Sequence, residues 1–112
     1  MIQGTWQDAT IEINGAESAE VNLGRAYDTL LIVIPTIDSA QISLQVAEKA
    51  GGTFQDLYIT NTSGDDNQPI TTAGTGGITW SVPIGGFQFI KIKASVAQSG
   101  GARTFRVCGI RS

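Results

Sequence analysis

The fold is decided by two neighbouring hydrophobic stretches, residues 27–34 (YDTLLIVI) and residues 42–47 (ISLQVA). The first is rich in β-branched residues and has few polar interruptions, which is typical of a strand buried on both faces. In the second, apolar residues alternate with smaller or polar ones, which indicates an antiparallel strand with one buried face. We expect Pro35 to end the first strand, because proline cannot donate a hydrogen bond to a ladder.

The same alternation continues over most of the chain, and no stretch keeps the i, i+3, i+4 spacing of a helix for long. Gly51-Gly52 is a hairpin turn that leads into residues 54–59, and residues 87–94 and 103–110 form two late strands. Turn residues, among them Gly74-Thr75-Gly76-Gly77, separate the strands at close spacing. We therefore predict an all-β sandwich, a jelly roll of about eight short antiparallel strands, with an immunoglobulin-like sandwich as the alternative.

The length of 112 residues corresponds to one domain. Residues 19–112 are assigned to this sandwich, and residues 1–18 are an N-terminal segment that is either an arm or a first strand. No signal peptide is visible, and the longest apolar run, Leu30 to Pro35, is far shorter than the roughly 20 residues that span a bilayer. These features predict a soluble protein that does not bind membranes.

The composition excludes several kinds of chemistry. The chain has no histidine and one cysteine, Cys108, so Ser-His-Asp and Cys-His catalysis, His- or Cys-based zinc sites and an intrachain disulfide are all excluded. The run Asp65-Asp66-Asn67 has oxygen ligands for calcium but lacks EF-hand spacing, and a solvated turn is the preferred interpretation. We expect no catalytic residues, no metal and no cofactor.

The charges are separated along the chain. Residues 1–66 hold all ten carboxylates and two basic side chains, whereas residues 67–112 hold five basic side chains and no acid. Antiparallel pairing of the two late strands would place their basic residues on one face. The net charge of −3 argues against nucleic-acid binding. The preferred interpretation is a basic patch that docks onto acids of a partner, with Trp6 as a further contact. The candidate interface residues are Trp6, Lys91, Lys93, Arg103 and Arg106.

Aromatic side chains allow a second interpretation, in which rings such as Trp6 and Tyr58 stack on sugars. Trp80 alternates with Ile78 and Val82, so it is assigned to the core. Only 15% of the residues are charged, compared with roughly 25% in typical globular domains, which indicates that another molecule covers part of the surface.

Five features that occur in order over residues 19–111 resemble a known class of protein. This layout is similar to the small all-β auxiliary head proteins, called decoration or cement proteins, of tailed bacteriophages. The features are VNLG with YDTL (residues 21–24 and 27–30), SLQVAE with GGTFQDL (43–48 and 51–57), GGITW (76–80), FQFIKIKAS (87–95) and RTFRV (103–107).

The resemblance implies a non-enzymatic virion protein, made in the bacterial cytoplasm and located on the capsid surface. Members of this class typically form trimers that sit on the capsid lattice. The implied partners are the major capsid protein and further copies of the chain as a homotrimer, and no nucleic acid. The alternative function is a host-glycan-binding module of a head or tail fibre.

Overall fold

The computed structural model describes residues 2–60, 64 and 66–111, and their regular structure is entirely β. No helix among these residues is long and apolar enough to cross a membrane. The ten strands are β1 (Ile2–Gln3), β2 (Gln7–Ile11), β3 (Val21–Asn22), β4 (Thr29–Ala47), β5 (Gln55–Asp56), β6 (Ile59–Thr60), β7 (Asp66–Asn67), β8 (Ile70–Pro83), β9 (Phe89–Ala94) and β10 (Arg103–Arg111).

Strand β4 is the centre of a curled antiparallel sheet that contains eight of these strands, while β6 and β7 form a separate hairpin. The first half of β4 pairs with β10 on one side and with β8 on the other. The second half pairs with β9 on one side, and with β5 and the start of β8 on the other. The sheet therefore has two halves that share β4 and β8.

The inward-facing side chains of the two halves pack into one hydrophobic core. Phe105 of β10, Ile32 and Leu44 of β4, and Ile92 of β9 are all fully buried. Alternation along β9 is strict, because Ile90 and Ile92 are buried while the lysines beside them point outward. This arrangement follows from the period of two along a strand, which puts successive side chains on opposite faces of the sheet.

The N-terminal segment belongs to this sheet. Strand β2 pairs with β10, with Thr10 opposite Thr104, and Ala9 and Ile11 of β2 are buried in the core. Strand β1 pairs with the end of the same β10 edge. The backbones of residues 2–3 and 7–11 thus lie in the ladder of this sheet.

Two strands are longer than the sequence indicates. Pro35 does not end a strand, because β4 continues through it to Ala47. The pairing of β4 with β10 ends at Val33, so no neighbour on that side needs the N–H that Pro35 lacks. Residues 70–83 likewise form one strand, although residues 74–77 were expected to be a turn. Strands β4 and β8 pair with each other as one long hairpin, and a register shift between Thr36 and Ala40 bends it.

A polar cluster holds the bend of β4. Gln98 is fully buried, and its side-chain oxygen accepts a hydrogen bond from the Asp38 backbone N–H at 2.8 Å. The Gln98 amide donates to the carbonyl of Val96 at 3.0 Å, and the Gln98 backbone bonds to the turn at Asn14 and Gly15. The bend, the loop before β10 and the turn after β2 are thereby joined at one end of the molecule.

Candidate functional site

The four basic candidate residues do not form one stripe, which corrects the expectation that they share a face. Among the described strands, β9 and β10 do not pair with each other, since each pairs with a different half of β4. Lys91 and Lys93 lie on the outer side of the β9 half, and Arg106 lies on the outer side of the β10 half. The two outer sides face away from the common core.

Acids of the same chain pair with three of these bases. Arg103 Nη2 lies 3.0 Å from Asp38 Oδ1, and Lys93 Nζ lies 3.4 Å from Asp56 Oδ1. Arg106 pairs with Asp8 on the neighbouring strand β2. The fold therefore brings bases of residues 67–112 next to acids of residues 1–66. The uneven distribution of charge along the sequence does not by itself require a partner.

The remaining two candidates are Lys91 and Trp6. The ammonium of Lys91 lies 4.7 Å from the centroid of the Phe54 ring, a cation–π contact at the surface. Trp6 is half-buried in the short link between β1 and β2. The role of all five residues in docking to a partner stays a prediction.

Asp38 accepts hydrogen bonds from several donors around the bend of β4. Its Oδ2 atom accepts hydrogen bonds from the backbone N–H groups of Ser99 at 2.7 Å and Gly100 at 3.1 Å. The Gly100 N–H is the largest cause that lowers the pKa of Asp38 below its ordinary value of 3.8, and the bonds from Ser99 and Arg103 act in the same direction. Partial burial opposes them. A carboxylate held in this way is a structural anchor for the bend.

A surface groove of about 750 Å³ lies where β4 ends and the chain turns back into β5. We call it the β4–β5 groove; it is lined by Val46, Ala47, Glu48, Lys49, Gly52, Thr53, Gln55, Asp56, Leu57, Tyr58 and Phe87. Tyr58 is 59% exposed, whereas Leu57 beside it is buried. The groove thus presents one exposed ring among polar side chains.

The local sequence builds this groove on well-anchored backbone. After β4 ends, Gly51 adopts a positive φ of 67° and its N–H donates to a Glu20 carboxylate oxygen at 2.8 Å. Gly51 suits this turn because a side chain would be strained at such a φ. Leu57 then donates its N–H to the Leu44 carbonyl at 3.0 Å, which fixes the position of Tyr58.

The second feature of the surface is the open edge of β8. Among the described strands β8 pairs with β4 alone, so its other edge has no partner strand. Beside this edge lies an apolar cleft of about 320 Å³ whose lining includes Ile59, Ile70 and Trp80. Ile70 and Ile78 are 45% and 42% exposed. Trp80 is only partly buried against the core, so its predicted assignment to the core is corrected. We call these four residues and the free side of β8 the β8 edge surface.

Sequence reasoning missed both features. Tyr58 was recognised as a possible sugar-stacking residue, but the groove depends on how the turn after β4 packs beside Phe87. The β8 edge was hidden because residues 74–77 were interpreted as a turn. The available signal was the absence of charge throughout residues 70–83. Asp65 and the Asp66 side chain lie outside the described residues.

No protein-family model matches the chain, and no curated protein matches it. Solved structures do match. The SPBc2 prophage-derived protein YomS is 15% identical with a TM-score of 0.52, and the match covers 94% of each chain. Chitosan-binding module 1 of a chitosanase/glucanase from Paenibacillus sp. IK-5 is 14% identical with a TM-score of 0.55, and the match covers 90% of this chain and 75% of the module.

At these identities the likeness shows the fold alone. It agrees with the curled antiparallel sheet described above, and the predicted all-β sandwich is confirmed. One of the similar structures derives from a prophage and another is a chitosan-binding module, so this fold is used by both proteins.

Proposed function

We propose that this chain is a non-enzymatic structural protein of a bacteriophage virion, a decoration or cement protein that docks as a homotrimer between capsomers. The observation that carries the proposal is the β8 edge surface, an open strand edge beside an apolar cleft. Such a surface suits association with another protein chain better than exposure to water.

Proteins normally protect the edges of their sheets with charged side chains, a proline within the strand or a covering element. The stretch from Ile70 to Pro83 has no Asp, Glu, Lys or Arg, and its one proline stands at the end. Ile59, Ile70 and Trp80 add apolar area next to the edge. An unprotected edge of this kind is a template for pairing with a further strand.

A further copy of the same chain is the occupant we propose for this surface. Because the edge has no charge, it does not repel a different neutral surface of a second copy, which is the head-to-tail contact that a ring of three requires. A domain of 112 residues also gains stability when subunits bind only its folded form. In a closed ring each copy would contribute the β8 edge surface to one neighbour.

The assignment to a phage virion has two supports. The five ordered sequence features resemble phage decoration proteins, and the prophage-derived YomS is similar in fold over 94% of each chain. The major capsid protein is the partner that the proposal names, and the capsid surface is the location. Glycan binding is the alternative function and is taken up below at the groove.

The oligomeric state tests the proposed surface. Light scattering coupled to size exclusion should give a mass about three times the 11.8 kDa chain. Ile78→Lys should yield monomers, because it places a charge on the edge. Ile13→Lys is the matched control, since Ile13 is 58% exposed, follows β2 and does not line the cleft beside β8. A protein that stays monomeric across the micromolar range would overturn the proposal.

The virion assignment is tested on particles. The chain should co-purify with intact particles of the phage whose genome encodes it, at a copy number proportional to the capsomers. Mass spectrometry of gradient-purified heads gives both quantities. Presence in the lysate but absence from washed particles would contradict a decoration role.

A further inference from the structure

We propose that the β4–β5 groove binds an uncharged oligosaccharide, with Tyr58 as the ring on which a sugar stacks. This inference goes beyond the structural role proposed above and does not depend on it. It rests on the shape of the groove, on the exposure of Tyr58 and on the hydrogen-bonding groups around it.

The shape and the ring fit a sugar. The volume of about 750 Å³ lies within the roughly 300–1,000 Å³ typical of small-molecule sites. Tyr58 lies between β5 and β6 and exposes 59% of its surface. An aromatic face is electron-rich, so it attracts the C–H groups on one face of a pyranose ring. Phe87, half-buried against the core, adds apolar wall to the same groove.

The polar lining supplies groups that recognise hydroxyls. The Glu48 carboxylate accepts hydrogen bonds, the Gln55 amide both donates and accepts, and the Thr53 hydroxyl does the same. All three side chains are exposed at the groove. Sites for sugars need this combination, because each ring presents one apolar face and a rim of hydroxyl groups.

The charges around the groove balance. Glu48 and Asp56 are acidic, Lys49 is basic, and Lys93 lies 3.4 Å from Asp56. Asp56 also accepts a hydrogen bond from Gln45 at 3.3 Å, so its charge is already engaged. A site with no net charge attracts neither a polyanion nor a polycation strongly, which favours a neutral ligand.

The site is also preorganised. Leu57 is buried and hydrogen-bonded to Leu44, and the turn before it is held by the bond from Gly51 to Glu20. Tyr58 therefore projects from fixed backbone, and binding does not need to order a loop. Preorganisation raises affinity by lowering the entropy lost on binding.

The test is calorimetric titration of the full chain with neutral hexaoses built from glucose, galactose or N-acetylglucosamine. Oligogalacturonate and glucosamine hexamer are the charged arms of the panel. We expect binding to at least one neutral sugar, and a weakening of about tenfold or more in Tyr58→Ala. Tyr58→Phe should bind within about threefold of the parent, since stacking and not the hydroxyl carries the contact.

Two controls keep the outcome clear. Ile13→Ala removes an equally exposed apolar side chain away from the groove and should bind like the parent. Tyr58→Ala should keep the melting temperature and the trimer mass, because the ring is mostly exposed. Binding of the charged arms only, or neutral-sugar binding that Tyr58→Ala leaves unchanged, would overturn the proposal, as would silence across the panel. None of these results would alter the oligomer mass from light scattering, which tests association through the β8 edge surface separately.

Discussion

At the scale of single residues, the Asp38 carboxylate holds the bend of β4 through its negative charge. It stands in the bend of β4 and gathers the backbone N–H groups of Ser99 and Gly100 as well as the guanidinium of Arg103. These donors favour the ionised carboxylate, so its pKa lies below the ordinary value of 3.8. A group whose pKa is lowered by folding stabilises the folded state when it is ionised.

The first prediction concerns the pH dependence of Asp38→Asn. The variant should be less stable than the parent at neutral pH, because the asparagine lacks the charge that the donors favour. The stabilisation is fully present above pH 3.8 and is lost as the pH falls through the lowered pKa of the folded state. Urea unfolding of both proteins across this range measures the difference.

Asp8→Asn is the control for this comparison. Asp8 is 60% exposed in its pair with Arg106, and exposed ion pairs contribute only about 0–1 kcal/mol. A difference between Asp38→Asn and the parent that is equally large at neutral pH and well below pH 3.8 would contradict the electrostatic account.

Individual residues also show where sequence reasoning stops. The charge of Arg106 and its outward direction on a strand follow from the alternation in residues 103–107. Its partner Asp8 lies 98 residues away, and the pairing of β2 with β10 that joins them cannot be derived from local pattern. For this reason the sequence pattern predicted that the bases contact acids of a partner. In the structure three of them pair with acids of the same chain.

At the scale of elements, the long hairpin of β4 and β8 depends on one close approach. Gly76 adopts a φ of 83°, and a Cβ atom there would overlap the carbonyl of Pro35. Gly77 next to it has a φ of 78° but open space around it. Gly77 is therefore constrained by its backbone conformation alone, whereas Gly76 is constrained both by its conformation and by the contact with Pro35.

The second prediction compares alanine at these two positions. Gly77→Ala should lower the free energy of unfolding by about 1–2 kcal/mol, the cost of a left-handed conformation. Gly76→Ala should lower it by about 2–5 kcal/mol, since the new methyl group also displaces Pro35 at the bend. Chemical denaturation of both variants gives the values. Equal losses would show that the contact with Pro35 does not matter.

Pro35 and residues 74–77 explain why two strands appeared shorter in sequence than in structure. Proline and glycine normally interrupt a strand, and both occur here at the same level of one hairpin. Each interruption falls opposite the other, so the hairpin bends without ending. Local rules identify the interruption, but only the pairing of the two strands shows that it is a bend.

At the scale of the whole molecule, the class of fold was predictable and the surfaces were not. Alternation fixed which residues face the core, as Ile90, Ile92 and Phe105 show. The β4–β5 groove combines a turn with Phe87, which lies just before β9. The β8 edge surface exists because, among the described strands, β8 pairs with β4 alone. Such features depend on the order of the strands in the sheet. The alternation of apolar and polar residues along a strand does not specify that order.

The third prediction concerns salt. If trimers form through the β8 edge surface, their mass should not change between about 0.05 M and about 1 M NaCl, although the Debye length falls to about 3 Å. The reason is that residues 70–83 have no charge to screen. Light scattering at both concentrations is the measurement. Dissociation at high salt would instead assign the contact to the basic strands, with Lys91→Glu and Arg106→Glu as the next variants.

The pairing of β2 with β10 has a consequence for how the chain is made. Thr10 and Thr104 bond to each other across 94 residues, so on a ribosome β2 waits for nearly the whole chain to emerge. Until then Ala9 lacks its partner on β10 and Ile11 is bridged only to Ser18, while the uncharged edge of β8 has already been synthesised. Pairing between incomplete chains is therefore the main hazard of this topology during synthesis, and rapid capture of β2 by β10 is what ends it.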